Sequence, residues 1–439
     1  MRSNLPIILL VTAIAIVYQS CDSSMNINKP KDFYKYIGMD GDQTGVDLVT
    51  DVDGNAYILG SSKIASDTLG QPSYYGQQLY VVMTNSSGEV VWSKTYGGKG
   101  DDIPKDIELL SDGTLVVLAD RSDGDFAIYR LDKTTGTETK PVVVSGLEAL
   151  IGAPASDDHA NTITQTIDGF IVAGYSNDGA GFKTALVARY HPDMTKFDAS
   201  WSYQFNQLNE LSGYDVVPIK VVQKDPSNFI IFGYTNTPGA DTFADYNYFV
   251  VATGALNDAR SAIFYIDADP ATHSNERLSS VKQAPVQSGG GFILTGYTSS
   301  SNGATQDIYV ARVVQDPQTA LQETFIQGNP RTITSNLSNL SGAFVSVYPS
   351  VSSGFYVLGN QGVLGDNNLY LTKLDNDLGN AWKGNPAREL GGVGDDAGGA
   401  VAETVDGRIL VVGTMVLGDL KGQRKLVLMN LSSDGFFGN

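Results

Sequence analysis

Seven times along 439 residues, a two-residue turn signature stands between two apolar runs. The pairs are Asp53-Gly54, Asp112-Gly113, Asp168-Gly169, Ser227-Asn228, Gly290-Gly291, Ser353-Gly354 and Asp406-Gly407, at successive spacings of 59, 56, 59, 63, 63 and 53 residues. Asp-Gly between apolar runs signals a hairpin, because both residues tolerate positive φ. A period near 60 residues means that one supersecondary unit is repeated and must bury its faces against its neighbours.

Each turn leads into an apolar run that ends, five or six positions on, at a small residue: Gly60, Ala119, Gly174, Gly233, Gly296, Gly359 and Gly413. Runs such as TLVVL, FIIF and RILVV suit strands covered on both faces. A third strand follows each time, from LYVVMT (79–84) in the first unit to KLVLMNL (425–431) in the seventh. A fourth follows in six units: VVWSKTYGG (90–98), VVVSG (142–146), SWSYQF (200–205), AIFYI (262–266), QETFI (322–326) and a weaker one around 381–390. Four antiparallel strands per unit at this period predict an all-β chain, a seven-bladed β-propeller of four-stranded antiparallel blades.

The seventh unit has no fourth strand, but FYKYIG (33–38) matches SKTYGG in register and precedes the first unit. The N-terminal strand is therefore expected to pair into the last blade and close the ring, removing the open edges of an array. The alternative is an open solenoid.

The phrase TYGG…GDD…SDGTLVVLA, within residues 90–120, resembles the β-propeller repeats of secreted proteins and lipoproteins of the Bacteroidota. The resemblance covers nearly all of residues 33–439, with blades four to six degenerate. It implies the fold; propellers host binding, scaffolding and several enzyme chemistries.

Residues 1–20 carry Arg2, an apolar run from Leu5 to Val17, and Tyr18-Gln19-Ser20 before Cys21, the only cysteine. The run has the length of a signal-peptide core and is short for a membrane span. The segment resembles a bacterial lipoprotein signal, in which Cys21 becomes the lipidated first residue; Ser20 fits that pattern, and Gln19 and Tyr18 depart from it. The other reading is ordinary cleavage leaving a free thiol. Residues 21–31 are polar and aperiodic, as a flexible tether is. The expected division is thus a signal peptide over 1–20, a tether over 21–31 and the propeller over 32–439. Lipidation implies an exported protein anchored to the outer membrane, on its periplasmic or outer side.

Composition removes several classes of function. The formal net charge is −19, and loss of Arg2 leaves 28 basic against 48 acidic side chains, or −20. Such a chain repels nucleic acid and anionic membranes, so the only membrane contact expected is through the lipid anchor. One cysteine and three histidines (His159, His191, His273) supply neither a disulfide nor zinc-ligand spacing. Adjacent Asp-Gly without a regular aromatic does not match the sialidase Asp box. Three tryptophans (Trp92, Trp201, Trp382) are too few for a quinone-cofactor dehydrogenase and read as blade spacers in fourth strands.

Two sets of candidate site residues remain. Acids open the first strands at Asp42, Asp101, Asp157 and Asp395, where they either line one channel mouth and hold a cation or accept backbone N–H groups in their turns. No cofactor motif is present, and Ca²⁺ is the ion such acids would suit. Asp40-Gly-Asp42-Gln-Thr44-Gly45 superficially fits a calcium loop, but Asp51 then falls at the far end of a strand. Aromatics on variable loops, Tyr74, Tyr75, Phe182, Phe243 and Tyr246, either stack on sugar rings or anchor a protein, or cover blade edges. No catalytic residue is assigned. The reading favoured is a non-catalytic envelope lipoprotein that offers a binding or scaffolding surface to a protein or glycan, as a subunit of an outer-membrane complex. Its rival is a polysaccharide-active enzyme, a glycosidase or lyase, with carboxylates at the propeller mouth.

Overall fold

The computed structural model describes residues 32–437 apart from 64–75, 99, 141, 146–156, 178–180, 196–212, 227, 237–244, 255–262, 269–273, 300–305, 316–324, 329, 334–345, 351–352, 364 and 419–421. Residues 1–31, and Cys21 with them, lie outside that description. Asp32–Asn439 forms one compact unit. Among the described residues, no helix is long and apolar enough to cross a membrane.

Seven antiparallel sheets make up this unit, ordered in sequence from an inner strand outward except that the N-terminal strand is the outermost of the last sheet. The inner strands are Asp42–Thr50, Asp102–Leu109, Asp157–Thr166, Val216–Asp225, Asn275–Gln283, Ser346–Pro349 and Ala397–Glu403. They neighbour one another around the ring, and the seventh packs back on the first. The predicted closure is present: Phe33–Ile37 pairs with Gln423–Leu431, Phe33 opposite Asn430 and Ile37 opposite Leu426. The protein is a seven-bladed β-propeller.

Outer strands are where the sequence was weakest. SWSYQF, with Trp201, falls outside the described residues, so the third blade shows three strands there. In the fifth blade, Arg331–Ile333 joins Phe325–Gln327 on the same third strand. In the sixth, the outer strand is only Ala387–Leu390 and Trp382 lies in the turn before it, not in a strand. Trp382 and Trp92 nevertheless do the same work. Each indole Nε1 donates to a carbonyl just past the third strand of the next blade, Ser433 at 3.2 Å and Lys133 at 3.1 Å.

Among the described residues the core consists of seven clusters, one between each pair of adjacent blades. Alternation along the second strands builds them: Ile58 faces blade seven, with Leu410 and Val412, while Tyr57 and Leu59 face blade two, with Leu115 and Val117. Side chains on successive strand residues point to opposite faces, so a strand buried on both must be apolar throughout. Burying each such side chain contributes about 1.5–3 kcal/mol.

The recurrent small residue has a steric cause. Six inner strands carry a β-bulge at one register: Gly45/Asp47, Pro104/Asp106, Ala160/Thr162, Pro218/Lys220, Leu278/Ser280 and Gly398/Ala400. The residue paired beside each bulge is the small one, respectively Gly60, Ala119, Gly174, Gly233, Gly296 and Gly413. A Cβ on Gly60 would stand 1.9 Å from the Thr44 carbonyl oxygen, and one on Gly296 would stand 2.0 Å from that of Arg277. The bulge also re-aims the residue after it, a device common beside functional sites.

Candidate functional site

Among the described residues, six inner strands are tied to the preceding blade at their starts, and the repeated acids serve that junction. Asp42 accepts the Arg424 N–H at 2.9 Å, Asp101 that of Gln77 at 2.6 Å, and Asp395 that of Gly365 at 2.8 Å. Asp215 and Asn275, one register position equivalent, accept from Lys183 at 2.9 Å and Tyr246 at 3.1 Å. In every case the donor stands at the head of the preceding blade's third strand. The next residue returns a bond: the Asp102 N–H donates to Gln77 at 2.7 Å, Glu276 to Tyr246 at 2.6 Å and Asp396 to Asn367 at 2.8 Å. The second acid is buried. Asp102 and Asp396 each accept an N–H from four residues back, and burial raises both pKa values.

Asp157 behaves differently. Its carboxylate takes Asn177 Nδ2 at 2.9 Å and His159 Nε2 at 3.2 Å. His159 Nδ1 meets buried Asp120 at 2.9 Å, and Lys105 Nζ meets the same oxygen at 2.8 Å. The Asp120 hydrogen bond, opposed by burial and aided by both carboxylates, raises the His159 pKa above its ordinary 6.5.

Below these junctions lies the central channel, a cavity of about 630 Å³. Residues re-aimed by the bulges line it. Asp47 accepts the N–H groups of Leu48 at 2.8 Å and Ile107 at 3.2 Å, while Asp106 accepts Ile163 N–H at 2.9 Å and the Thr162 hydroxyl at 2.6 Å. Lys220 Nζ donates to Glu108 and to Thr162 Oγ1, both at 3.1 Å. These bonds carry a polar ladder across four blades. Burial in the channel wall, then repulsion from Asp106, raises the Asp47 pKa well above the carboxylate range; Lys282 opposes both. Burial works against the Lys220 charge, but Glu108 and Asp106 outweigh it and push its pKa up to about 12.

The channel is lopsided. Blades one and two contribute Asp47, Asp106 and Glu108, with Lys105 paired to Asp120 at 2.8 Å, while blades four and five contribute Lys220, Arg277 and Lys282. Over the cationic side stand tyrosines, each directly after its blade's small residue: Tyr175, Tyr234 and Tyr297. Tyr234 meets Tyr246 edge-on at 5.8 Å, the Tyr246 hydroxyl bonds Asp215 at 2.5 Å, and Arg277 stacks on the Tyr246 ring at 4.4 Å. His159 lies 4.8 Å from the Tyr175 ring, and Lys183 covers that ring at 4.8 Å.

Of the residues singled out from sequence, Asp42, Asp101 and Asp395 sit at blade junctions and Asp157 in the His159 cluster; none lines the channel cavity. Tyr246 belongs to the tyrosine arc, and Phe182 is half-buried beside Lys183. Tyr74, Tyr75 and Phe243 lie outside the described residues. Among the described residues, no three His, Cys, Asp or Glu side chains are grouped to hold a metal ion. Sequence reading missed the position after each small residue: Ser61, Asp120, Tyr175, Tyr234, Tyr297, Asn360 and Thr414. Aligning the repeats on the small residue would have exposed it.

No family model matches the chain, and no curated protein does. Solved structures share its fold. The extracellular domains 1-2 of Drosophila Semaphorin 1a align with a TM-score of 0.50 at 10% identity, over 92% of this chain and 88% of that one. The Dos1 propeller aligns at 0.47 and 12% identity, over 94% and 97%. A protein of unknown function from Bacteroides caccae aligns at 0.35 and 11%, over 81% and 94%.

Proposed function

We propose that this chain is a non-catalytic binding module, exported and held to the outer membrane by a lipid on Cys21, that scaffolds an envelope protein complex. One observation carries the reading: an exposed aromatic cluster at the seam where the ring closes. Tyr34 and Tyr36 project from the closing strand, with rings 4.9 Å apart, and Phe437 stands 6.1 Å from Tyr34. Tyr36 is 48% exposed, Phe436 53% and Phe437 44%. Arg388, stacked on Phe436 at 3.9 Å, adds the cation that accompanies aromatics in binding hot spots. Exposed aromatic clusters rimmed by polar groups mark protein contacts.

The acid inventory supports the same reading. The carboxylates that repeat around the ring are engaged by backbone N–H groups of a neighbouring blade, which fits a structural duty. One observation favours the rival hydrolase: Asp47 and Asp106 converge in the channel, with the Asp47 pKa raised. Perturbed carboxylates in a cavity are what general acid catalysis uses.

The test is affinity capture of the full-length protein from detergent-solubilised envelope of its own host, with mass spectrometry of what accompanies it. The expected result is a stoichiometric envelope protein, lost from the double variant Tyr36→Ala/Phe436→Ala and retained by Asp47→Asn. Capture of the protein alone, together with polysaccharide cleavage abolished by Asp47→Asn, would replace this reading with the hydrolase. Labelling with radioactive palmitate, absent from Cys21→Ser, checks the anchor.

A further inference from the structure

Two cations on the channel wall, Arg277 and Lys282, have no carboxylate within ion-pair distance among the described residues. Among the described residues, Arg277 makes only its stack on Tyr246, with no carboxylate on its N–H fork. Lys282, exposed in the same cavity, makes no hydrogen bond or ion pair among the described residues. Tyr234 and Tyr297 line the cavity beside them, and their hydroxyls are likewise without hydrogen-bond partners among those residues. An arginine held by stacking keeps its planar fork free for a carboxylate. In a chain of net charge −19, a paired cation site is a local exception that needs a reason.

Across the cavity, Asp106 and Glu108 present oxygens that repel a second negative charge and accept hydroxyl donors. A fitting ligand is therefore polarised, with a carboxylate at one end and hydroxyls along the rest. The volume of about 630 Å³ is in the range of small-molecule pockets, about 300–1,000 Å³. The tyrosine rings and hydroxyls suit a sugar, which offers both C–H faces and O–H groups. We propose that this cavity binds a uronate unit of an acidic saccharide, its carboxylate on Arg277 and Lys282 and its hydroxyls on Tyr234 and Tyr297. The site is separate from the aromatic seam at Tyr34 and Tyr36, so each can fail without the other.

Calorimetric titration of the full-length protein with tri-galacturonate, and with maltotriose as the uncharged control, tests it. Saturable binding of tri-galacturonate is expected, with maltotriose at least about tenfold weaker, as loss of a charge-assisted hydrogen bond dictates. Arg277→Gln and Lys282→Gln should each weaken tri-galacturonate roughly tenfold, and Tyr234→Phe and Tyr297→Phe by about threefold. Lys282 is exposed, so its variant should fold and melt as the parent does; it keeps the test valid if Arg277→Gln unfolds. Absent saturable binding, equal binding of maltotriose, or an unchanged Lys282→Gln overturns the inference. If the envelope partner is still captured in that case, the scaffold reading stands and only the saccharide site falls.

Discussion

Two arcs of the ring carry the same fold and different chemistry. Blades seven, one and two keep the Gly-Asp junction in its full form at Asp395, Asp42 and Asp101, and blades six, seven, one and two place Asn360, Thr414, Ser61 and Asp120 after the small residue. Blades three to five carry Tyr175, Tyr234 and Tyr297 there, and put Lys220, Arg277 and Lys282 on the channel wall opposite Asp47 and Asp106. The units that repeat most faithfully are those whose side chains hold the ring together. Those that drifted from the pattern are where, among the described residues, polar groups of the channel are left without partners. In a repeat protein, departure from the pattern is thus the better guide to a site.

The largest effect should ignore the difference between arcs. Gly60→Val in the regular arc and Gly296→Val in the other both press a Cβ into a backbone carbonyl that cannot yield. Each should cost about 3 kcal/mol in thermal or urea melts, the upper end of what overpacking does, because the atom met is backbone. Ala119→Gly, at the same register, should change stability by under about 1 kcal/mol. Unequal losses at Gly60 and Gly296 would show that the arcs differ in backbone as well as in side chains.

Next comes Glu276, which occupies in the irregular arc the register of Asp102 and Asp396. It is fully buried, its Oε1 takes the Thr298 hydroxyl at 2.6 Å, and burial raises its pKa from 4.5 to about 7. The folded state therefore holds a proton that the unfolded state releases, so stability falls as pH rises from 4.5 through 7. Glu276→Gln should stabilise the protein at pH 8 by about 2–3 kcal/mol and leave pH 4 unchanged. Equal melting shifts at both pH values would contradict the buried-acid account.

Junction acids should matter moderately. Asp101→Ala and Asp395→Ala each remove the acceptor of an exposed inter-blade hydrogen bond and should cost about 0.5–1.5 kcal/mol. Asp157→Ala, whose carboxylate does not make this bond, should cost less. Parity among the three would erase the distinction drawn between junctions.

The smallest effect concerns His159. Its folded pKa is raised above 6.5 by Asp120, so its contribution is complete below pH 6.5 and disappears as pH rises through the folded value. Melting temperature measured against pH should show a small decline over that window, and His159→Gln should flatten it. A wild-type profile already flat there would sink the idea.

Much of the fold was legible because its signals are local or periodic. Turn pairs need only positive φ, second strands need apolar side chains on both faces, and FYKYIG could be matched to SKTYGG without any structure. The outer strands read less well: Ala387–Leu390 is short, and Trp382 sits in a turn, because an outer strand is covered on fewer sides and its composition is freer. The candidate site read worst. Asp47, Asp106, Lys220 and Arg277 come from four blades, and their neighbours in space are 50 to 60 or more residues away in sequence.

By itself, then, the sequence determined the unit, its sevenfold recurrence and the strand that closes the ring, since each follows from side-chain periodicity and turn stereochemistry. Only the tertiary structure decided what the acids do. A carboxylate after a glycine looks the same whether it binds an ion or a neighbouring blade, and the difference lies in which N–H group arrives from the adjacent unit. It also decided where the charges meet, because a β-bulge turns the following residue inward and ring closure sets the cations of blades four and five against the acids of blades one and two.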